Sequence, residues 1–177
     1  MTQPVCAVIG IGPGNGAAIA QRFSQAGFRL ALLSRSTTLS TKLAAELRNA
    51  RAYACDASDS ESVKAAFASV RKDLGEVNAL VYNAGSGTWG SVEDVSAADL
   101  ENAWRINVLG AFAAAREVIP AMKQRGAGSI VFIGATASRR GAARAAAFAQ
   151  AKAAQRTLAE SMARHLWSSG IHVALVI

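Results

Sequence analysis

The chain has 177 residues, 51% of them apolar and 18% charged, with a formal net charge of +7. That length fits one domain and is enough to bury a core without disulfides or metals, and the apolar content excludes disorder as the main state. Arg or Lys interrupts every apolar stretch short of the ~18 residues that a membrane helix needs. The residues before Arg22 lack the basic start of a secretory leader, and Cys6 and Cys55 make neither a disulfide framework nor a metal-ligand spacing. The expected location is the cytoplasm.

In chain order, residues 5–9 are five consecutive apolar residues ended by Gly10, the pattern of a strand buried on both faces. A helix is expected over 16–26, stopped by Gly27, then a strand over 28–34, a helix over 39–49 and a strand over 51–55. Asp59 or Ser60 caps a helix over 61–73. A strand over 78–82 runs into Asn83-Ala84-Gly85. Ser96 caps a long helix over 97–124, with Pro120 as a kink near its end. A strand over 129–133, an Ala-rich helix over 142–168 and a strand over 171–176 complete the chain. Six buried strands alternating with helices define a parallel sheet covered on both faces, the doubly wound α/β architecture. Its ligand crevice lies at the carboxyl ends of the strands.

The first strand opens into Gly10-Ile11-Gly12-Pro13-Gly14-Asn15-Gly16. Read from Gly10, the spacing G-x-G-x-x-G fails at Asn15, whereas G-x-x-x-G-x-G fits through Gly10, Gly14 and Gly16. Small residues between a strand and a helix let the backbone approach a pyrophosphate, onto which the helix directs its first N–H groups. In an NAD site an acid at the end of the second strand holds the ribose 2′-hydroxyl. Here that strand ends in Ser34-Arg35-Ser36, and residues 1–45 contain no Asp or Glu. Arg35 offers a planar fork suited to a 2′-phosphate, so NADP is expected over NAD.

Together these motifs resemble the short-chain dehydrogenase/reductase family over essentially the whole chain. The resemblance rests on Gly10, Gly14 and Gly16, on Asp56 after the third strand, and on Asn83-Ala84-Gly85 after the fourth. Asn107 in the long helix and Lys152 in the Ala-rich one extend it. It implies a Rossmann-type sheet in the order 3-2-1-4-5-6 within one NAD(P)-binding domain spanning 1–177. It implies that Asp56 contacts the adenine, that Asn83-Ala84-Gly85 lines the adenosine side, and that Lys152 holds the nicotinamide ribose with Asn107 behind it, usually through a water. It also implies a homodimer or homotetramer formed by helices 97–124 and 142–168.

Two departures stand out. The family's catalytic Tyr, four residues before the Lys, is here Phe148, and its catalytic Ser, about thirteen residues earlier, is here Ala135. Thr136 and Ser138 lie close to the latter position. Ile9 stands where the family's Gly motif usually begins with Thr. The expected function is NADP(H)-dependent hydride transfer with an unidentified carbonyl or alcohol; the alternative is a catalytically impaired NADP-binding sensor or assembly protein. The family generally continues for some tens of residues past the strand at 171–176 with a seventh strand and a helical lid. The chain is therefore expected to be C-terminally truncated or to lack that lid.

Other features carry less. Residues 118–177 hold one acid, Glu160, against eight Lys and Arg, with Arg139, Arg140 and Arg144 clustered after the fifth strand. The Arg139, Arg140 and Arg144 cluster is read as a solvated loop or as a contact for an acidic substrate or a CoA phosphate. No basic and aromatic residues interleave as a nucleic-acid surface requires. Trp89, in a Gly/Ser-rich loop, is expected to border the substrate space.

Overall fold

A computed structural model describes residues 3–177. Strands β1 (Val5–Ile9), β2 (Arg29–Ser34), β3 (Ala50–Ala54), β4 (Val77–Tyr82), β5 (Gly128–Ile133) and β6 (Ile171–Val176) form one sheet in the order β3-β2-β1-β4-β5-β6. Every pairing is parallel. The strand order that the resemblance implies therefore holds. Val5, Ala7 and Ile9 point to one face and Cys6 and Val8 to the other, as the two-residue strand period requires.

The first face packs on α3 (Ser60–Leu74), α5 (Gly110–Arg125) and α6 (Ala146–Leu166) through Phe67, Val118 and Leu166. The second packs on α1 (Asn15–Gln25) and α2 (Thr37–Glu46) through Ala20 and Leu43. Burying one such large apolar side chain contributes about 1.5–3 kcal/mol. Over β5 the second face is less closed, with Val131 and Ile133 partly buried. Among the described residues no helix is long and apolar enough to cross a membrane.

Local chemistry sets the helix ends. Asp59, rather than Ser60, caps α3 by accepting the Glu61 amide at 3.0 Å. Ser96 caps α4 (Ala97–Trp104) in a reciprocal box with Asp99. Helix α2 occupies Thr37–Glu46 rather than 39–49, because the chain reverses at Asn49 in the left-handed region before entering β3.

The largest correction concerns the predicted helix 97–124. It is interrupted at Arg105–Leu109 by a π turn between α4 and α5. Such turns frequently mark functional sites. This one buries Asn107 completely. Pro120 lies exposed inside α5, which runs on to Arg125. The predicted helix 142–168 is also shorter: residues 142–145 form the turn that leads into α6, because the amide of Ala146 and the carbonyl of Arg144 are committed to Gly90.

Candidate active site and cofactor crevice

The turn after β1 is built by close backbone contact. Gly10 has φ +93, and a Cβ there would lie 2.4 Å from the Ala84 amide nitrogen. A Cβ on Gly16 would lie 2.5 Å from the Gly10 carbonyl oxygen. Asn83 locks the arrangement, its Nδ2 donating to that carbonyl at 2.7 Å. At Gly12 and Gly14, by contrast, a Cβ would meet nothing within 4 Å. The turn is thus tight toward the protein and open in front of α1. That helix starts with Gly14 as its N-cap, Asn15 as its first residue and no side chain bonded to its first amides. An anion there meets free N–H donors.

The asymmetry makes a prediction. Gly10→Ala combines positive-φ strain of about 1–2 kcal/mol with overpacking of about 1–3 kcal/mol. The urea midpoint should fall by the equivalent of about 3 kcal/mol, whereas Gly12→Ala should stay within about 0.5 kcal/mol of the unaltered chain.

A cavity of about 690 Å³ opens beside this turn. Its lining includes Gly10, Gly12, Ser34, Arg35, Asp56, Asn83, Ala84 and Gly85. These residues follow the carboxyl ends of β1 to β4, where a doubly wound sheet places its crevice. Gly14, Asn15 and Gly16 do not line it; they shape the start of α1. Arg35 is exposed, and Ser34 is tied down by hydrogen bonds to Ser36 O and the Ser40 hydroxyl. The Asp56 carboxyl accepts the hydroxyl and the amide of Ser58, at 2.7 and 2.9 Å. Those bonds hold it below the usual carboxylate range, with Arg35 adding a smaller effect. Lys42 also lines the cavity and was missed by the sequence reading. It sits on α2 in the turn after Thr38, another lining residue, and the start of α2 at Thr37 was the missing signal.

Gly85 joins this cavity to a second group of residues. A Cβ on Gly85 would lie 3.3 Å from Asn107 Oδ1 and 3.7 Å from Lys152 Nζ. Lys152 is only 3% exposed and donates to Ile133 O at 2.8 Å and to Gln155 Oε1 at 3.0 Å. Burial lowers its pKa to about 8. Asn107 Nδ2 donates to Ala103 O at 2.8 Å, while its Oδ1 is buried without a partner among the described residues.

Phe148, one turn before Lys152 on α6, packs against Trp89, with ring centroids 5.1 Å apart. Lys152 Nζ lies 5.9 Å from the Phe148 ring centre. Trp89 is held in place because Gly90 pairs with the Arg144–Ala146 turn. Ala135 follows β5 in extended conformation, and its carbonyl accepts the Ser138 hydroxyl at 2.6 Å. Ser138 is 2% exposed, so its hydroxyl is turned into the protein; Thr136 is exposed. Gln155, also unforeseen, lies three residues after Lys152, a spacing that puts both on one helix face.

The chain belongs to the short-chain dehydrogenase family: residues 4–177 match it, and relatives and solved structures agree. It is 32% identical, over 99% of its length and 71% of the other's, to 2-(S)-hydroxypropyl-CoM dehydrogenase 3 of Xanthobacter autotrophicus. A short-chain dehydrogenase from Streptomyces avermitilis superposes with a TM-score of 0.95 at 30% identity, covering 99% of this chain and 65% of that one. A metagenomic short-chain oxidoreductase in complex with NADP superposes with a TM-score of 0.93 at 28% identity, over 99% of this chain and 81% of the other. The chain thus spans roughly two thirds to four fifths of these proteins.

Proposed function

We propose that this chain binds NADP(H) in the crevice beside the Gly10–Gly16 turn and takes part in hydride transfer with a carbonyl or alcohol substrate. The observation that carries this reading is the cavity wall at the end of β2, where Arg35 stands and no carboxylate does. A 2′-phosphate needs a cationic donor fork at that place, and an acid would repel it. The metagenomic relative with NADP bound supports the same choice.

The residues present fit the cofactor. The open space before α1 suits the pyrophosphate, Asp56 the adenine, and Asn83-Ala84-Gly85 the adenosine side. Lys152 Nζ would hold the ribose hydroxyls, with Asn107 behind it. When bound, the cofactor supplies or accepts the hydride. The chain's own task is then to hold a proton near the substrate oxygen. Phe148 has none to give, and Ala135 has no hydroxyl to orient the substrate. In this reading the proton resides on Lys152 Nζ, beside the Phe148 ring that packs on Trp89. Assembly as a homodimer or homotetramer through α4–α5 and α6 belongs to the same proposal, with Leu100, Trp104 and Phe112 exposed on the first pair.

NADPH oxidation with a panel of carbonyls, measured from pH 6 to 10, tests it. Reduction uses the ammonium form, and Lys152 loses its proton near pH 8. The rate should be level below that pH and fall about tenfold per pH unit above it. A rate level through pH 10 removes Lys152 as the proton source. Absence of NADPH binding by calorimetry removes the whole reading.

A further inference from the structure

Gln155 is fully buried on α6, facing the π turn. A buried side-chain amide is costly unless both of its ends are paired. Both ends are paired here. Oε1 accepts Lys152 Nζ at 3.0 Å, and Nε2 donates to the main-chain carbonyl of Asn107 at 2.9 Å. That carbonyl belongs to the π turn, so Gln155 bridges the amine to the one irregular turn in the α4–α5 segment.

We propose that Gln155 is a positioning residue for Lys152, fixing its amine between Ile133 O and the Asn107 main chain through a direct side-chain link. Lys152 has three N–H donors, and two are committed. The third is left for a ligand. Asn107 Oδ1, buried and unpartnered among the described residues, and Lys152 Nζ both lie close beside Gly85, 3.3 and 3.7 Å from where a Cβ would stand. That role toward a ligand rests on the NADP(H) reading above, whereas the link between Gln155 and Lys152 does not.

The electrostatics give a sign to the test. An oxygen accepting from the ammonium favours the charged amine. Gln155 thus opposes the burial that lowers Lys152, and no charged neighbour contributes to the shift. The groups facing the amine are neutral: Ile133 O from β5, Asn107 from the π turn, Gly85 from the loop after β4, and the Phe148 ring on α6.

The whole chain without cofactor, carrying 13C-labelled lysine, allows Lys152 to be titrated by NMR. Lys152 should titrate near 8, and the Gln155 side-chain amide resonance should move with the same midpoint. Gln155→Leu should lower that midpoint by about one pH unit, and Gln155→Glu should raise it by at least as much. Adding NADPH then reads the ligand part, with Gln155→Leu binding about tenfold more weakly. A Gln155 amide indifferent to the Lys152 titration in the unaltered chain overturns the proposal, even where Gln155→Leu does not fold. So does an unchanged midpoint in a folded Gln155→Glu. A shifted midpoint with no NADPH binding in any form keeps the link and overturns only its ligand role.

Discussion

Phe148→Tyr combined with Ala135→Ser is expected to raise NADPH-dependent carbonyl reduction about 10²–10⁴-fold, the usual worth of a positioned general acid. Phe148 lies one turn before Lys152 on α6, and Ala135 lies just beyond β5. A phenol on the ring beside Lys152 would have a cation 5.9 Å from its ring centre. A nearby cation stabilises phenolate and brings the phenol toward working pH. Neither existing hydroxyl near Ala135 substitutes for the serine: Ser138 is buried and bonded to Ala135 O, and Thr136 points to solvent on a short turn. The single change Phe148→Tyr should recover part of the gain, with kcat rising more than KM changes, since a proton donor acts in the transition state. The measurement is the initial rate of NADPH oxidation over the carbonyl panel. An unaltered chain that already turns over rapidly, and a double variant that loses that rate, would show that the proton comes from elsewhere.

Arg35→Asp should weaken NADPH binding about hundredfold while leaving NADH binding nearly unchanged or improved. The substitution removes a charge-assisted pair, worth about 1.5–3 kcal/mol, and places a carboxylate where the 2′-phosphate is expected. Lys42 on the same wall would leave some attraction, so Arg35→Asp with Lys42→Ala should lose more than either change alone. Both effects should shrink as salt rises, because Arg35 and Lys42 are exposed. Calorimetric titrations with both cofactors decide it. Equal affinity of the unaltered chain for NADPH and NADH removes the basis for the choice.

Much of this architecture is written locally. Short apolar runs such as Val5–Ile9, ended by Gly10, read as strands buried on both faces, and helices between them favour parallel order. The glycine spacing at Gly10, Gly14 and Gly16 reads as backbone room for a pyrophosphate, whereas Gly10 and Gly16 are close-packed on the protein itself, against Ala84 and Gly10 O. The absence of any acid before Glu46 needed no coordinates to be seen, nor did the missing hydroxyls at Phe148 and Ala135. Capping at Ser96 was visible because the box closes within four residues.

What stayed hidden depends on contacts between distant segments. Residues 97–124 read as one helix, yet its middle widens into a π turn, where Asn107 O takes Gln155 and after which Gly110 packs against Ala57 O and the Tyr82 hydroxyl. Gln155 and Asn107 are separated by 48 positions, and Lys152 and Ile133 by 19. Helical spacing placed Gln155 beside Lys152 but did not say that a main-chain carbonyl would come to meet it. The seating of Trp89 on Phe148 likewise follows from Gly90 pairing with the turn before α6. By itself, then, the sequence determined the sheet, the glycine turn and the charge at the end of β2, because each arises within a few consecutive residues. The surroundings of Lys152 were decided by tertiary structure alone, because they exist only where four segments meet and every buried polar group must find a partner.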